Sequence, residues 1–284
     1  MKEKEMLVNE KEELKQYLIE ERQTVKSKYG FLPTSVWHLK KDRKLIDFIG
    51  DNGDVENKKR RSKNSWLPNL RYSSFNPKVA DRVIKYWSNK GDIILDPFAG
   101  RSTRMIMSKI NNRNYIGFDI SPIAIDELKK TLNKQETLSK IDVNIKLFCS
   151  DGCEMKNIQD YSIDLIFTCP PYWNLEKYES VDNQLSDCKS YMEFLNKLYE
   201  CVGRCHDILK KNKFSIWVVS DFRKGYYYCL HKDLIDIHLD SGFILWDIII
   251  NVLNSPFISF KAGFNDNQKY TGKTHEYILV FKKL

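Results

Sequence analysis

The sequence predicts an α/β protein built on one mostly parallel sheet of seven strands, with helices on both faces. Two observations support this fold class. From about residue 76 onward, short apolar runs alternate with longer amphipathic segments. Such alternation places successive strands side by side in parallel, because each connecting helix packs back onto the sheet. No internal repeat or low-complexity tract interrupts the pattern.

Each predicted strand is a short apolar run. The seven strands are residues 93–95, 115–120, 143–149, 163–168, 214–220, 243–252 and 277–281. The predicted helices share a longer amphipathic spacing, and they are residues 77–88, 103–109, 122–133, 191–209 and 233–240. Asn76 and Ser121 are the expected N-caps of two helices, because short polar side chains accept from the first helical N–H groups. Pro77 and Pro122 follow them at the first helical position, where a proline is tolerated.

The first 72 residues are predicted to form a helix and a basic arm, ahead of a main domain of residues 73–284. Residues 1–28 favour one charged helix with a thin apolar stripe at heptad spacing. Such a stripe could dock on the main domain or pair with a second copy, which leaves a homodimer open. Residues 33–72 are irregular and basic with interleaved aromatic residues, which suits a nucleic-acid surface or an arm packed on the core.

Composition restricts the class of protein. The 284 residues are 42% hydrophobic and 30% charged, which suits a soluble chain with a sizeable core. No apolar run approaches the roughly 20 residues of a membrane span, and the charged N-terminus lacks the apolar core of a signal peptide. Seven cysteines at irregular spacing are typical of reduced thiols, so we expect a cytoplasmic protein that binds no metal.

The net charge of +8 favours a polyanionic partner. Part of this charge lies in the run KKRRSK from Lys58, which is either a solvated loop or a segment that contacts phosphates. Residues 254–273 are also basic and aromatic, and form either a backbone-binding element or a plain surface hairpin. The expected nucleic-acid-binding residues are Lys58, Lys59, Arg60, Arg61, Trp173, Lys261, Lys269 and Lys273.

Four consecutive predicted strands end in an acidic residue or an unusual turn. Ligands of open α/β sheets bind outside the carboxyl ends of the strands, so these residues are expected to share one site. The four stretches are Asp96-Pro97-Phe98-Ala99-Gly100-Arg101-Ser102, then Asp119-Ile120, then Ser150-Asp151-Gly152, then Thr168-Cys169-Pro170-Pro171-Tyr172. One or two of these would arise by chance, whereas all four together predict a binding site.

The first of these loops is poorly built for phosphate groups. It has one glycine, Gly100, and lacks both the G-x-G-x-x-G pattern and a P-loop lysine. Asp96 suits a cationic ligand, Asp119 can accept ribose hydroxyls, and Asp151 can accept from an adenine amino group. Ribose, adenine and a positive group together describe S-adenosylmethionine. Alternatively, Asp96 and Asp151 are ordinary turn-forming residues.

The motifs DPFAG, GFDIS, SDG and TCPPYW, in this order, resemble those of amino-group DNA methyltransferases. These enzymes methylate the exocyclic nitrogen of adenine or cytosine with S-adenosylmethionine. From about residue 33 to the end, the chain is similar to compact methylases often found in phage genomes. The resemblance implies a Rossmann-like class I methyltransferase fold, DNA as partner, and a role in DNA modification, for which restriction, host evasion and regulation stay open.

The resemblance also implies which residues contact the cofactor. Phe75-Asn76-Pro77 stands where the family places residues near the methionine end, and Phe98 would lie against the cofactor or the base. The expected cofactor-binding residues are Phe75, Asn76, Pro77, Asp96, Pro97, Phe98, Ala99, Gly100, Ser102, Asp119, Ile120, Asp151 and Gly152. Asp221, in VVSDFR, matches a Gly-Asp-x-Arg segment of the family, where it would orient a ligand or bind Arg223.

The expected catalytic residues are Thr168, Cys169, Pro170, Pro171 and Tyr172. An exocyclic amino nitrogen is a poor nucleophile because its lone pair is delocalised, and two hydrogen-bond acceptors can draw that lone pair out. The family's acceptors correspond here to the side chain of Cys169 and the carbonyl of Pro170. Prolines make this turn rigid and remove its N–H donors. Tyr172 would stack on a target base that has left the duplex.

Cys169 departs from the family, which usually has Asp, Asn or Ser at this position. Thr168-Cys169 stands nearest to the Thr-Ser pair of cytosine-N4 enzymes, although sulfur is a weak acceptor. Methylation of cytosine-N4 is therefore slightly favoured over adenine-N6. The alternatives are a covalent role for Cys169, an RNA base amino-methyltransferase of the same fold, and a methylase-like subunit that binds nucleic acid without catalysis.

Overall fold

The computed structural model describes residues 2–40, 42–49, 75–136, 141–175, 183–253 and 269–284. The chain divides into two compact units, Met1–Ser35 and Val36–Leu284. This division comes before the predicted boundary at residue 72, because Val36–His38 pairs in parallel with Ile250–Val252 of the sheet. The segment expected to be irregular therefore contributes a strand to the main domain.

The smaller unit contains helix α1, Lys2–Tyr29, close to the predicted range of 1–28. Gly30 follows it with φ of +78°, and its N–H donates to the carbonyl of Lys26 at 2.8 Å. A glycine suits this position because the left-handed conformation carries no Cβ penalty there. Pairing of α1 with a second copy stays a prediction.

The larger unit is built on an eight-stranded sheet and a small separate hairpin. The strands of the described residues are β1 Val36–His38, β2 Ile93–Asp96, β3 Asn114–Asp119, β4 Ile145–Cys149, β5 Ile163–Thr168, β6 Leu209–Val219, β7 Phe222–Lys224, β8 Tyr226–Tyr228, β9 Ile244–Val252 and β10 His275–Lys282. The order across the sheet is β1-β9-β10-β6-β5-β2-β3-β4. Strand β10 runs antiparallel to both β6 and β9, and the other pairs are parallel.

The helices of the larger unit follow the predicted pattern. In the described residues they are α2 Arg43–Ile49, α3 Pro77–Trp87, α4 Thr103–Ile110, α5 Pro122–Glu136, α6 Tyr191–Ile208 and α7 Leu230–Asp240. Both predicted caps are confirmed, because Asn76 Oδ1 accepts from the N–H of Lys78 at 3.1 Å and Ser121 Oγ from that of Ala124 at 3.1 Å. None of the described helices has the length and apolar content needed to cross a bilayer.

The mostly parallel α/β fold predicted from the sequence is confirmed, and the differences are short elements. Strand β1, helix α2 and the β7–β8 hairpin were not predicted. Each has seven residues or fewer, too few for a clear periodicity. Strand β5 is buried along its whole length, as expected for a central parallel strand covered on both faces. Its burial holds the start of the TCPPY turn at a defined place.

His238 lies wholly buried on α7, stacked on Phe281 with ring centres 3.7 Å apart. Its Nδ1 donates to the carbonyl of Leu234 at 2.7 Å, and its Nε2 has no partner among the described residues. Removal from water disfavours the charged imidazole and lowers its pKa from 6.5 to about 3.

This burial predicts acid sensitivity. Below pH 6.5 the unfolded chain takes up a proton at His238 that the folded chain binds only near pH 3. The contribution of His238 to the free energy of unfolding should therefore be constant above pH 6.5. Below pH 6.5 it should decrease by up to about 1.4 kcal/mol per pH unit. Urea unfolding of the wild type and His238→Phe at pH 7, 6 and 5 checks this. Equal pH slopes for the two proteins would contradict it.

Candidate active site

The four loops predicted separately from the sequence meet at one edge of the sheet. Strands β4, β3, β2 and β5 are parallel neighbours, so their carboxyl ends lie side by side. The hydroxyl of Thr168, which ends β5, donates to Asp96, which ends β2, at 2.7 Å. The N–H of Gly100 donates to Asp119 at 2.8 Å. These contacts join the loops into one site.

Asp96 is the centre of a buried hydrogen-bond network. Its carboxylate has no exposed surface and accepts from four donors. The donors are Arg104 Nε at 2.5 Å, Tyr115 Oη at 2.9 Å, Thr168 Oγ1 at 2.7 Å and the N–H of Phe98 at 3.2 Å. The countercharge of this buried carboxylate is Arg104. A contact of Asp96 with the cofactor stays a prediction.

Arg104 connects this network to the cofactor loop. Its Nη2 donates to the carbonyl of Phe98 at 2.6 Å and to that of Ala99 at 3.2 Å. Burial by itself would lower the pKa of Arg104, but the surrounding groups, Asp96 first, raise it above its ordinary value. Sequence reasoning missed this residue. The available signal was an arginine in the first turn of the helix that follows the loop, where its side chain can reach back toward Asp96.

Asp119 organises the same loop from the end of β3. Its two oxygens accept from the N–H groups of Gly100 at 2.8 Å and Ser121 at 2.9 Å. Burial raises the pKa of Asp119, and these two backbone donors oppose the rise. Gly100 has φ of +52°, a conformation that favours glycine. Asp119 and the adjacent Ile120 remain half-exposed, and their contacts with ribose stay predictions.

Gly152 allows the β4 loop to touch the β2 loop. A Cβ on Gly152 would lie 1.8 Å from the carbonyl oxygen of Pro97, so only glycine fits. Asp151 accepts from the N–H of Cys153 at 2.8 Å, which is the turn-forming role named as its alternative. Its carboxylate is half-exposed and retains lone pairs for a ligand, so the predicted adenine contact stays a prediction.

The other expected cofactor residues have structural partners. Asn76 also donates to the carbonyl of Leu39 at 3.2 Å, and Pro77 is buried at the start of α3. The hydroxyl of Ser102 is buried and donates to the carbonyl of Ile49 at 3.2 Å. Phe75 lies edge-on to Phe167, 5.8 Å between centres, and Phe98 edge-on to Trp217 at 6.1 Å. Their contacts with a cofactor stay predictions.

The predicted catalytic turn is partly exposed and firmly held. Thr168 is wholly buried, so its side chain positions the turn and does not face a base. Pro170 is buried, whereas Cys169, Pro171 and Tyr172 are half-exposed. The ring of Tyr172 lies edge-on to Phe222, 6.1 Å between centres. The turn therefore presents Cys169 and Tyr172 toward the edge of the sheet.

Two expected nucleic-acid-binding residues have internal partners. The indole N–H of Trp173 donates to the carbonyl of Cys188 at 2.8 Å, and its ring packs on Tyr228. Lys273 donates to the carbonyl of Asp221 at 2.5 Å, and burial lowers its pKa. The contacts of Trp173 and Lys273 with nucleic acid stay predictions. Lys269 is exposed, and five residues lie outside the described part, namely Lys58, Lys59, Arg60, Arg61 and Lys261.

Asp221 binds His231, and the alternative that it binds Arg223 is wrong. Its oxygens lie 2.7 and 2.8 Å from His231 Nδ1, and Oδ2 accepts from Tyr227 Oη at 3.1 Å. Cys229 lies close enough for these three residues to offer ligand atoms within 4.8 Å of one another. The 2.7 Å contact is a hydrogen bond, shorter than the roughly 3.3 Å between two tetrahedral zinc ligands. Asp221 and His231 therefore form a hydrogen-bonded pair, with Cys229 nearby.

The motifs at this edge also occur in a family of DNA methylases. The sequence model of that family matches residues 2–130 and 163–284, which is most of the chain. The chain belongs to the N6/N4 DNA methylase family. The predicted resemblance is thereby confirmed. The match includes DPFAG, GFDIS and TCPPYW, whereas the SDG motif of this methylase falls between the two matched ranges.

Curated relatives resemble parts of this methylase. The orphan methyltransferase M.BamHII of Bacillus amyloliquefaciens is 42% identical over 66 residues, 23% of this chain and 25% of that protein. The Type II methyltransferase M.HpaI of Haemophilus parainfluenzae is 31% identical over 119 residues, 42% of this chain and 33% of that protein. The matched region thus spans a third or less of each relative's length.

A solved structure supports the fold. The methyltransferase from Pyrococcus furiosus superposes with a TM-score of 0.50 at 13% identity, covering 86% of this chain and 100% of that one. At this identity the likeness concerns the fold alone. The methylase has the class I methyltransferase fold that the resemblance implied.

S-adenosylmethionine is the cofactor of this methylase, in keeping with its family. The residues at the edge of the sheet fit this cofactor. Asp119 and Asp151 are partly exposed residues, and their carboxylates can accept hydroxyl and amino hydrogens. Gly100 and Gly152 keep side chains out of the space between the loops. Asp119 would hold the ribose and Asp151 the adenine.

Proposed function

We propose that this methylase transfers a methyl group from S-adenosylmethionine to the exocyclic amino nitrogen of a base flipped out of DNA. The 2.7 Å hydrogen bond between Thr168 and Asp96 is the observation that carries the proposal. It ties the turn expected to hold the amino group to the loop expected to hold the methyl donor. A buried bond across 72 residues of sequence supports a constant separation between the reacting groups.

The residues of this chain have the task of making the amino nitrogen nucleophilic and of aligning it with the methyl group. When bound, S-adenosylmethionine supplies a methyl group on a positively charged sulfur. The carbonyl of Pro170 accepts one amino hydrogen and Cys169 lies beside the other, which localises the nitrogen lone pair. Tyr172, held edge-on by Phe222, offers its face to the base. Alignment of the nitrogen with the methyl group then accounts for most of the rate enhancement.

We expect cytosine-N4 as the target, with adenine-N6 as the second candidate. The pair Thr168-Cys169 is nearest to the Thr-Ser pair typical of cytosine-N4 enzymes. Mass spectrometry of nucleosides from DNA of cells that express the protein tests this. N4-methylcytosine supports the proposal as stated, and N6-methyladenine changes only the base. If neither appears, purified protein that labels tRNA but not DNA would favour an RNA methyltransferase.

Cys169→Ser is expected to retain DNA methylation within about tenfold of the wild type. A serine hydroxyl accepts a hydrogen bond at least as well as a thiol, and one neutral hydrogen bond contributes only about 1 kcal/mol. Steady-state methylation of the same DNA by both proteins measures the ratio. An inactive serine variant that still binds DNA and S-adenosylmethionine would instead favour a covalent role for Cys169.

A further inference from the structure

The β7–β8 hairpin stands beside the catalytic turn. Strand β6, which leads into the hairpin, pairs with β5 so that Trp217 lies opposite Thr168. Asp221 and Tyr172 each come four residues later in the chain, just beyond the ends of these two strands, which brings the two segments together. The contact between Tyr172 and Phe222, at the base of the hairpin, reflects this proximity. Gly225 forms the turn of the hairpin, with φ of +73°.

The base of the hairpin is anchored by aromatic packing. Phe222 and Tyr228 stack face to face across the two strands, 5.0 Å between centres and 15° apart. Tyr228 packs further on Trp173 at 5.4 Å and on Tyr191 at 4.7 Å. The hydrogen bond from Tyr227 to the buried Asp221 adds a polar anchor. The hairpin is therefore held in a defined position relative to the catalytic turn.

The tip of the hairpin is aromatic, basic and exposed. Tyr226 is 81% exposed and Tyr227 52% exposed, which are large exposures for rings of this size. The Arg223 guanidinium lies over the rings of Tyr227 and Tyr270, at 5.4 and 4.6 Å. Contacts of this kind use the face of the guanidinium and leave its N–H donors for other acceptors.

The charge of the hairpin suits a polyanion. The seven residues FRKGYYY carry Arg223 and Lys224 and no acidic side chain. Lys224 lies over the ring of Trp173 at 5.2 Å, next to the catalytic turn. Basic residues interleaved with exposed rings are typical of surfaces that grip a nucleic-acid backbone and stack on its bases.

We infer that the β7–β8 hairpin enters duplex DNA, with Tyr226 filling the gap left by the flipped base and Arg223 and Lys224 contacting the flanking phosphates. This inference rests on the proposed function, because only a flipped base leaves such a gap. A planar ring at the tip can stack on the base pairs above and below the gap and offset the lost stacking. The contact of Phe222 with Tyr172 keeps the base of the hairpin beside the turn where the flipped base arrives.

The test uses two synthetic duplexes that contain a site methylated by the wild type. In one the target base is normally paired, and in the other it lies opposite an abasic position and is already unpaired. Tyr226→Ala is expected to lower kcat/KM at least tenfold on the paired duplex and less than threefold on the unpaired one. Tyr226→Trp should restore activity on the paired duplex, because it restores a stacking ring.

Tyr199→Ala is the matched control, since Tyr199 is 46% exposed on α6. It should leave both duplexes methylated at the wild-type rate. Arg223→Gln and Lys224→Gln should each weaken binding to both duplexes. Each should also reduce the slope of log binding constant against log salt concentration by the amount expected for about one phosphate contact.

The outcomes separate the two proposals. Equal losses by Tyr226→Ala on both duplexes would indicate a merely structural role and overturn the inference, as would no loss on either. A wild type that methylates no DNA, or methylates only RNA, overturns the proposed function itself. A loss confined to the paired duplex supports the inference.

Discussion

Arg104→Gln is expected to abolish methyl transfer and to lower the free energy of unfolding by about 3–5 kcal/mol. The substitution leaves the carboxylate of Asp96 buried without its countercharge. It also removes the donor that holds the carbonyls of Phe98 and Ala99. Urea unfolding measures the stability, and transfer of a labelled methyl group to DNA measures the activity.

A double variant distinguishes the charge of Arg104 from its geometry. Asp96→Asn combined with Arg104→Gln removes both charges, so it should unfold at higher urea concentration than Arg104→Gln alone. It should remain inactive, because the loop carbonyls and Thr168 lose the ionic centre that aligns them. Arg104→Lys keeps the positive charge but lacks the planar guanidinium with its several N–H donors. Compared with Arg104→Gln, we expect it to restore most of the stability and little of the activity. A stable and fully active Arg104→Gln enzyme would refute this role.

Gly152→Ala is expected to abolish binding of S-adenosylmethionine. The new Cβ would lie 1.8 Å from the carbonyl oxygen and 2.7 Å from the carbonyl carbon of Pro97, and both are backbone atoms that yield only if the loop moves. Overpacking of this kind costs about 1–3 kcal/mol of stability. The loop from Pro97 to Gly100 contains expected cofactor contacts, so its displacement should prevent binding. Titration of the variant with S-adenosylmethionine in a calorimeter should then show no heat of binding.

Gly203→Ala is the control for this substitution. Gly203 lies within α6, and a Cβ there would meet no atom within 4 Å. Alanine at this helical position should raise the free energy of unfolding by about 0.5–1 kcal/mol and leave cofactor binding unchanged. If Gly152→Ala binds the cofactor as tightly as Gly203→Ala, the close approach of the two loops has no bearing on the site.

The site depends on the close contacts between loops at the edge of the sheet, and these variants disturb those contacts. Thr168 and Gly152 belong to different loops, yet both contact the loop that begins at Asp96. A change in one loop therefore reaches the others through buried atoms, which have little room to adjust. Activity and stability should consequently fall together for substitutions at these contacts, whereas Tyr226 at the exposed hairpin tip should affect activity alone.

The alternation of the longer strands and helices, the caps Asn76 and Ser121, and the edge at which the motifs meet could all be predicted from the sequence. These features depend on local patterns, since apolar periodicity and turn-forming residues act over a few positions. The motifs also indicated the family, because four short signatures in one order carry more information than any one of them.

The partners of the polar atoms in those motifs depend on how distant segments fold together. Asp96 neutralises Arg104 and holds Thr168, and Lys273 donates inward to Asp221. These internal partners of Asp96 and Lys273 could not be predicted from the sequence, because burial and pairing depend on residues at distant positions. The hairpin tip was missed for a related reason. Three-residue strands have no periodicity of their own, and the sheet alone brings them to the catalytic edge.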